Sequence, residues 1–175
     1  MTNLASVLGP LTQLRHLHIA SSGLGAAGVA ALAPALSAMR GLQTLDVCCN
    51  LLDRAEGAQA LCTLLGAVLG LIHLDVSGNG LRDEGAALLA PVLRGMTCLQ
   101  TLNLSFNLLH DMGVAALAPA LAALPCLYSL SLCGEQLGPR AVSALQPVLA
   151  REGSPLRKLD LSPLPKAAYS GCHCP

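Results

Sequence analysis

Residues 71–93 read LIHLDVSGNGLRDEGAALLAPVL, and this stretch decides the fold. Its first half alternates apolar and polar residues around Leu74 and Val76, which predicts a short strand with one buried face. Asn79 follows at the point where the chain must leave that strand. Its amide can both donate and accept hydrogen bonds, so we expect it to satisfy backbone groups buried in the turn. The second half is rich in Ala and Leu and begins with Asp83 and Glu84, which predicts a helix.

The same pattern recurs along the chain as a repeat. Each copy reads L-x-x-L-x-L-x-x-N-x-L with substitutions, and successive copies begin 28, 29, 28, 28 and 29 residues apart. The copies begin at Leu14, Leu42, Leu71, Leu99, Leu127 and Leu156. Such a regular recurrence indicates a solenoid, in which each repeat packs only on its neighbours.

The Asn position of the repeat predicts a ladder of stacked amides. The residues that fill it are Asn50, Asn79 and Asn107. Ser22 and Glu135 replace the Asn in the first and fifth copies, and Leu164 replaces it in the sixth. Because an ionised Glu135 can only accept hydrogen bonds, we expect the turn to loosen there.

A column of prolines runs through the predicted helices. Its members are Pro34, Pro91, Pro119 and Pro147. A proline inside a helix removes one backbone hydrogen bond and kinks the helix. The sequence therefore predicts short or bent helices in four of the five full repeats.

Strand and helix spacings predict the overall architecture. Strands stack about 4.8 Å apart, whereas packed helices need about 8–10 Å. Repeats that contain both must curve with the strands inside. We therefore expect an α/β horseshoe solenoid with a parallel sheet on the concave face and helices on the convex face.

These motifs resemble those of the leucine-rich repeat proteins, specifically the ribonuclease-inhibitor type with repeats of 28–29 residues. That type includes the repeat tails of NOD-like receptors and the Ran GTPase-activating proteins. The resemblance covers residues 4 to about 162. It is specific for the fold and weak for function, because members share an architecture while binding unrelated partners. It implies protein recognition on the concave face and its rims, usually without a cofactor.

The repeat boundaries predict a leucine-rich repeat domain over residues 1–164, followed by a disordered tail over residues 165–175. Within the domain we expect a partial repeat over residues 1–13, full repeats that start at residues 14, 42, 71, 99 and 127, and a partial repeat over residues 156–164. The chain has the pattern of a piece of a longer array, of a truncated isoform, or of a small protein capped by its end helix. Leu4, Val7, Leu8 and Leu11 lack a preceding repeat, so we expect them to be exposed and to promote self-association.

Composition limits the function classes. The formal net charge is zero, which disfavours general binding to nucleic acid or to a membrane surface. No apolar run reaches the roughly 18 residues of a membrane-spanning helix, and the N-terminus lacks the pattern of a signal peptide. We therefore expect a cytoplasmic protein in which most of the eight cysteines are free thiols.

The cysteines and histidines do not predict a metal site. Cys98 and Cys126 hold equivalent positions in adjacent repeats and could be neighbours, but we prefer to interpret the repeat cysteines as small buried hydrophobes. The Cys172-His173-Cys174 run in the tail lacks the second ligand pair of a zinc site. We expect neither a metal nor another cofactor.

The outward positions of the predicted strands are the candidate partner-binding residues. They are His16, His18, Thr44, Asp46, His73, Asp75, Thr101, Asn103, Ser129, Lys158 and Asp160, with Phe106 and Tyr128 at the strand edges. Asp46 and Asp75 should repel across adjacent strands, and uncompensated they would favour a basic partner. An ordinary solvated face is the alternative. The aromatics could anchor an interface, although Phe106 could instead cover the turn.

Three functional hypotheses remain open at this point. The first is a non-catalytic module that binds a protein partner on its concave face, as part of a NOD-like-receptor-type or other scaffold protein with a possible place in innate immunity. The second is a regulator of a small GTPase, like the Ran GTPase-activating proteins. The third is a fragment or isoform without an independent function. The sequence offers no catalytic residues, because parallel columns do not arrange side chains around a pocket.

Overall fold

The computed structural model of the chain describes residues 4–53, 55–150 and 153–163. Short strands and helices alternate throughout these residues. The strands are β1 (His16–His18), β2 (Thr44–Asp46), β3 (His73–Asp75), β4 (Thr101–Asn103), β5 (Ser129–Ser131) and β6 (Lys158–Asp160). The helices are α1 (Leu4–Leu8), α2 (Gly25–Ser37), α3 (Ala55–Gly66), α4 (Arg82–Arg94), α5 (Asp111–Ala123) and α6 (Pro139–Ala150).

The strands form one open parallel sheet in the order β1-β2-β3-β4-β5-β6. Equivalent repeat positions pair directly, so that Leu45 lies beside Leu74 and Leu74 beside Leu102. Each connection between strands passes through one helix, which covers the same side of the sheet. The predicted α/β leucine-rich repeat solenoid is therefore confirmed.

The core is a single layer between the sheet and the helices. It is built from the repeat leucines, such as Leu45, Leu71 and Leu102, and from helix residues such as Leu61 and Leu89, all of which are at most 2% exposed. The chain therefore buries its high apolar content, as the alternation in the strands predicts. Within the part of the chain that the structure describes, no helix is both long and apolar enough to cross a membrane.

The helices are longer than the proline column predicts. Those that contain an internal proline run for 12 or 13 residues, which is near the average length of about 11–12 residues. In α4, Pro91 lies close to the end of the helix, which continues to Arg94. The expectation of short helices is wrong because a proline this near the C-terminus interrupts the hydrogen bonding of the last turn only. The predicted bend stays a prediction.

The first helix differs from expectation at one residue. Leu4, Val7 and Leu11 are exposed by 37%, 52% and 46%, but Leu8 is buried at 6% exposure. The prediction that Leu8 is uncovered was wrong because α1 packs against α2 of the next repeat, and Leu8 joins the core there.

The turn after each strand contains a buried side-chain amide that links two repeats. The Oδ1 atom of Asn79 accepts a hydrogen bond from the backbone N–H of Asn50 at 2.8 Å. Its Nδ2 atom donates to the carbonyl oxygens of Val76, Ser77 and Val47 at 2.9–3.2 Å. Asn79 is only 1% exposed. Its hydrogen bonds therefore take the place of water for backbone N–H and carbonyl groups that are buried in the turn.

The neighbouring repeats use the same arrangement. The Oδ1 atom of Asn50 accepts from the backbone N–H groups of Ser22 and Leu24, each at 3.2 Å. The Oδ1 atom of Asn107 accepts from those of Asn79 and Leu81, at 3.2 and 3.3 Å. The amides therefore form a continuous ladder from the first repeat to the fourth.

Glu135 continues the ladder in the fifth repeat. Its Oε1 atom accepts from the backbone N–H of Asn107 and its Oε2 atom from that of Leu109, both at 2.6 Å. The side chain is 7% exposed. The accepting side of this turn is intact, because a carboxylate has one oxygen for each N–H group whereas an Asn shares a single oxygen. The expected loosening concerns the donors that an ionised Glu135 lacks, and it stays a prediction.

Burial raises the pKa of Glu135 to about 7. The N–H groups of Asn107 and Leu109 and the nearby His110 act in the opposite direction, because each favours the charged carboxylate. The nearby carboxyl of Asp83 adds a smaller upward effect.

Truncating a strand leucine should destabilise the solenoid. We expect Leu74→Ala, at a side chain 2% exposed, to lower the free energy of unfolding by about 2–5 kcal/mol, because it leaves a cavity between sheet and helices. Urea denaturation followed by circular dichroism measures this change. His73→Ala, at the adjacent exposed position, is the control and should stay within about 0.5 kcal/mol of the wild type. Equal midpoints for Leu74→Ala and the wild type would contradict the assignment of Leu74 to the core.

Glu135 should make the stability depend on pH. Its pKa of about 7 in the fold lies above the 4.5 of an ordinary glutamate, so the folded state binds a proton more tightly than the unfolded chain. The resulting stabilisation is fully present below pH 4.5 and is lost as pH rises through 7. We expect the wild type to gain at most ~3 kcal/mol between pH 8 and pH 4.5 relative to Glu135→Gln, as measured by urea denaturation across that range. Identical pH profiles for the two proteins would disprove this role of Glu135.

Candidate functional site

The first and third residues of the strands present their side chains on the side of the sheet away from the helices. We call this surface the strand face. Its first row is His16, Thr44, His73, Thr101, Ser129 and Lys158, and its second row is His18, Asp46, Asp75, Asn103, Ser131 and Asp160. Most of these side chains line one open trough of about 420 Å³. The register of the sheet thus places the predicted strand residues on one continuous surface.

Two histidines are held in place by threonines of the next strand. The Nδ1 atom of His16 lies 2.9 Å from the Oγ1 atom of Thr44, and that of His73 lies 2.8 Å from the Oγ1 atom of Thr101. Both histidines are exposed. Because Nδ1 is used within the sheet, Nε2 is the ring atom that each histidine offers to a partner.

The aspartates of the second row are hydrogen-bonded. The Oδ1 atom of Asp75 accepts from the backbone N–H and the hydroxyl of Ser77 at 2.9 and 2.6 Å, and its Oδ2 atom accepts from the Nδ2 atom of Asn103 at 2.8 Å. The Oδ1 atom of Asp46 accepts from the backbone N–H of Cys48 at 3.0 Å. Each aspartate therefore closes the turn that follows its own strand, and carboxylate oxygens of Asp46 and Asp75 still lie within 4.8 Å of each other. The predicted repulsion stays a prediction, because hydrogen bonds from neutral groups leave the charge of each carboxylate in place.

The remaining charged groups of the strand face lie near its two edges. The Nδ1 atom of His18 is 3.5 Å from the Oδ2 atom of Asp46, in a pair that is ionic only when the histidine is protonated. At the other edge, hydrogen bonds from the hydroxyl and the backbone N–H of Ser162 lower the pKa of Asp160. Exposed pairs such as His18–Asp46 contribute about 0–1 kcal/mol to stability.

One group of potential metal ligands lies in the part of the chain that the structure describes. Asp46, Cys48 and Asp75 each place a ligand atom within 4.8 Å of those of the other two. Sequence reasoning missed this group, because Cys48 was grouped with the core and the two aspartates with the surface. The carboxylates already accept backbone hydrogen bonds, and a structural zinc site uses four ligands. Their observed role is to close turns.

Phe106 and Tyr128 lie at opposite ends of the strands. Phe106 follows β4 and is 38% exposed, whereas Tyr128 precedes β5 and is 53% exposed. The ring of Phe106 lies against Gly134 of the next repeat, at a point where any Cβ atom would collide with it. The structure therefore does not bring the two aromatics together, and Phe106 covers part of a turn while leaving part of its ring in solvent.

The described cysteines fall into three groups, of which the half-buried one consists of Cys49 and Cys133. Cys48 and Cys62 are buried, as expected of small hydrophobes, but Cys98 and Cys126 are exposed and free. The burial prediction was wrong for this second pair because the position just before the first leucine of the repeat lies outside the core. The Cys172-His173-Cys174 run lies outside the described residues.

Sequence reasoning missed a group of exposed apolar residues in the turns that follow β2 and β4 and at the start of α5. Leu51, Leu108 and Met112 are exposed by 67%, 42% and 66%. The sequence did contain a signal for this exposure. Leu51 and Leu108 occupy the repeat position that is Gly23 in the first repeat and Gly80 in the third.

Comparison with known proteins supports the repeat assignment. The family described as Leucine Rich repeat matches residues 11–33, 71–90 and 95–118. A search of curated proteins found no match. Leucine-rich repeats generally act as non-enzymatic scaffolds for binding proteins. The three matched stretches and the regular stacking of strand and helix show that the chain is built from leucine-rich repeats.

Proposed function

We propose that the chain is a non-catalytic module that binds a protein partner on the strand face. The observation that carries this proposal is the pair of histidine–threonine contacts, which hold exposed imidazoles at fixed positions across the sheet. A partner that contacts these rings does not have to order them first. Preorganisation of this kind lowers the entropy cost of association.

The proposed contact residues are those of the two rows. They are His16, His18, Thr44, Asp46, His73, Asp75, Thr101, Asn103, Ser129, Lys158 and Asp160, with Tyr128 and Phe106 at the two ends of the strands. The rows offer donors, acceptors and charges of both signs, which suits a polar protein surface. We further propose a cytoplasmic setting and a parent protein of the NOD-like-receptor or scaffold type, on the basis of the resemblance in the repeats.

Binding is favoured over catalysis by the surroundings of the histidines. A histidine beside a hydroxyl, as in His16–Thr44, is also the arrangement of a general base and a nucleophile. Such a pair needs a third group to orient the base and a site that excludes water. Both His16 and His73 are exposed, and His73 lines the open trough, so their geometry is better suited to recognition.

Removing the two imidazoles should weaken partner binding without unfolding the chain. We expect the double variant His16→Ala/His73→Ala to keep the wild-type circular dichroism spectrum and to lose about 10-fold or more in affinity, because exposed side chains contribute to binding and not to the core. The partner is first identified by affinity capture from cytosol with quantitative mass spectrometry, as a protein retained by the wild type. Its affinity is then measured by calorimetry.

Gln59→Ala is the matched control, since Gln59 is exposed on the outer side of α3. It should leave the affinity unchanged. Loss of affinity with Gln59→Ala, together with full affinity of the double variant, would move the binding surface to the helices and reject the strand face.

A further inference from the structure

A cleft of about 440 Å³ opens at the edge of the sheet where the strands begin. It lies between the loop that precedes β1 and the loop that joins α2 to β2. We call it the basic cleft, and the residues that line it include Thr12, Gln13, Arg15, Arg40, Gly41 and Gln43. None of them belongs to the two rows of the strand face, so the basic cleft is a separate surface.

Backbone hydrogen bonds hold the two walls of the basic cleft in place. The carbonyl oxygen of Arg15 accepts from the N–H groups of Gln43 and Thr44 at 2.8 and 3.0 Å, which joins one wall to the other. Within the second loop, the N–H of Leu42 donates to the carbonyl oxygen of Met39 at 3.0 Å. The opening is therefore part of the folded framework.

Two guanidinium groups of the basic cleft carry charge that the described residues do not neutralise. Arg15 and Arg40 are both exposed. Within the described part of the chain, neither side chain takes part in a hydrogen bond or an ion pair. Arg157, also just before a strand, differs because its guanidinium donates to the carbonyl oxygens of Ser154 and Leu156. The donors of Arg15 and Arg40 are left for a ligand.

The carboxyl groups of residues 4–53, 55–150 and 153–163 lie at the opposite edge of the sheet. Asp46, Asp75 and Asp160 end strands, and the others lie in the following turns or in the first turns of α3, α4 and α5. Asp46 is three residues beyond Gln43 along β2, or about 10 Å. An anion that enters the basic cleft is therefore attracted by the arginines and meets no carboxylate among its lining residues.

The chemistry of the lining residues suits a phosphoryl group. A phosphorylated serine or threonine carries a charge of about −1.5 to −2 at pH 7 and three strong acceptor oxygens. Two guanidinium groups match this charge, and arginine binds phosphate oxygens in a planar, bidentate geometry. The side-chain amides of Gln13 and Gln43 are further donors on the two walls.

The surroundings favour a phosphorylated protein over nucleic acid or a membrane. Sites for single-stranded nucleic acid stack bases on aromatic side chains, and none lines the basic cleft. Recognition of an anionic membrane uses clusters of about 4–8 Lys or Arg, whereas the basic cleft contains two arginines.

We propose that the basic cleft binds a phosphorylated serine or threonine side chain of a partner protein. The guanidinium groups of Arg15 and Arg40 bind the phosphoryl oxygens, and phosphorylation of the partner strengthens its binding. The occupant is a protein, so the assignment rests on the proposed function in that respect, but it uses no residue of the strand face.

A degenerate peptide library with a fixed central phosphoserine tests this assignment, with a serine library as the reference. The wild type should enrich peptides from the phosphoserine library only. The most enriched sequence is then synthesised with phosphoserine, serine or glutamate at its centre, and binding is measured by fluorescence anisotropy. We expect the phosphoserine form to bind at least about 10-fold more tightly than the other two, and its affinity to fall as salt is added.

The variant Arg15→Gln/Arg40→Gln removes both charges from the basic cleft. Affinity for the phosphopeptide should fall about 10-fold or more, and the melting temperature should stay unchanged because both side chains are exposed. Arg82→Gln/Arg140→Gln is the matched control. It removes the same charge from two exposed arginines in the first turns of α4 and α6, at the opposite edge, and should leave the affinity unchanged.

Gly41→Glu tests the position of the site by placing a carboxylate in the basic cleft. A Cβ atom at Gly41 would meet nothing within 4 Å beyond its neighbours in sequence, and the φ angle lies outside the left-handed region. The new carboxylate should compete for the two guanidinium groups and lower phosphopeptide affinity about 10-fold or more. Gly41→Ala is the control and should bind like the wild type.

Several results would overturn the proposal. They include equal enrichment from the two libraries and equal phosphopeptide affinity of the wild type and Arg15→Gln/Arg40→Gln. Equal affinity for the phosphoserine and glutamate peptides would make the basic cleft a carboxylate site. Inorganic phosphate that binds as tightly as the phosphopeptide would make it a site for the free anion. Vesicles with phosphatidylinositol 4-phosphate that bind in place of the peptides would assign it to a membrane. The strand face is tested with its own partner and the histidine variant, so the two proposals fail independently.

Discussion

The hydrogen bonds of one buried side-chain amide per turn are the constraint on which the rest of the structure depends. Each strand has three residues, and backbone bonds between repeats continue only into the turn that follows, as from the N–H of Gly78 to the carbonyl of Ser105. The chain then turns around a buried Asn side chain. Asn79 accepts from the preceding repeat and donates to carbonyl groups of both repeats. Leaving one such buried group unpaired costs about 1–3 kcal/mol, which exceeds most surface interactions. The turns must therefore keep the same geometry from repeat to repeat, and Glu135 satisfies that requirement with two carboxylate oxygens.

Constant turn geometry determines how side chains are distributed on the surface. Because every strand pairs in the same register, the positions between the core leucines form rows that run across all the strands. The fold accepts at these positions any side chain that leaves the core undisturbed. What this chain places there is a mixture of imidazoles held by hydroxyls and carboxylates that close turns. Asp75 thus stabilises a turn and also lies on the strand face.

The ladder also fixes the backbone of the turns that follow β2 and β4. A turn that directs the amide inward requires left-handed residues on both sides of it, as at Gly78 and Gly80. Replacement of these glycines by Phe106 and Leu108 in the next repeat keeps the turn but places apolar side chains in solvent. The strand face is polar, whereas these turns expose the apolar side chains of Leu51 and Leu108.

The repeat period and the alternation of leucines were enough to predict the solenoid, its parallel sheet and the strand face. Each strand buries one side, and the next strand along the chain must therefore bury the same side. The position of Asn79 likewise predicted a buried turn. The hydrogen bonds of the turns could not be predicted from the sequence. It placed Asp46 and Asp75 side by side, but it did not reveal that their carboxylates accept hydrogen bonds from the N–H groups of Cys48 and Ser77. The burial of Leu8 was also missed, as was the exposure of Cys98, Leu51 and Leu108. These features depend on which backbone groups lie within about 3 Å of one another after the repeats stack. The pattern along one repeat determines which residues face the core, whereas contacts between repeats decide which polar groups are satisfied and which apolar groups remain in solvent.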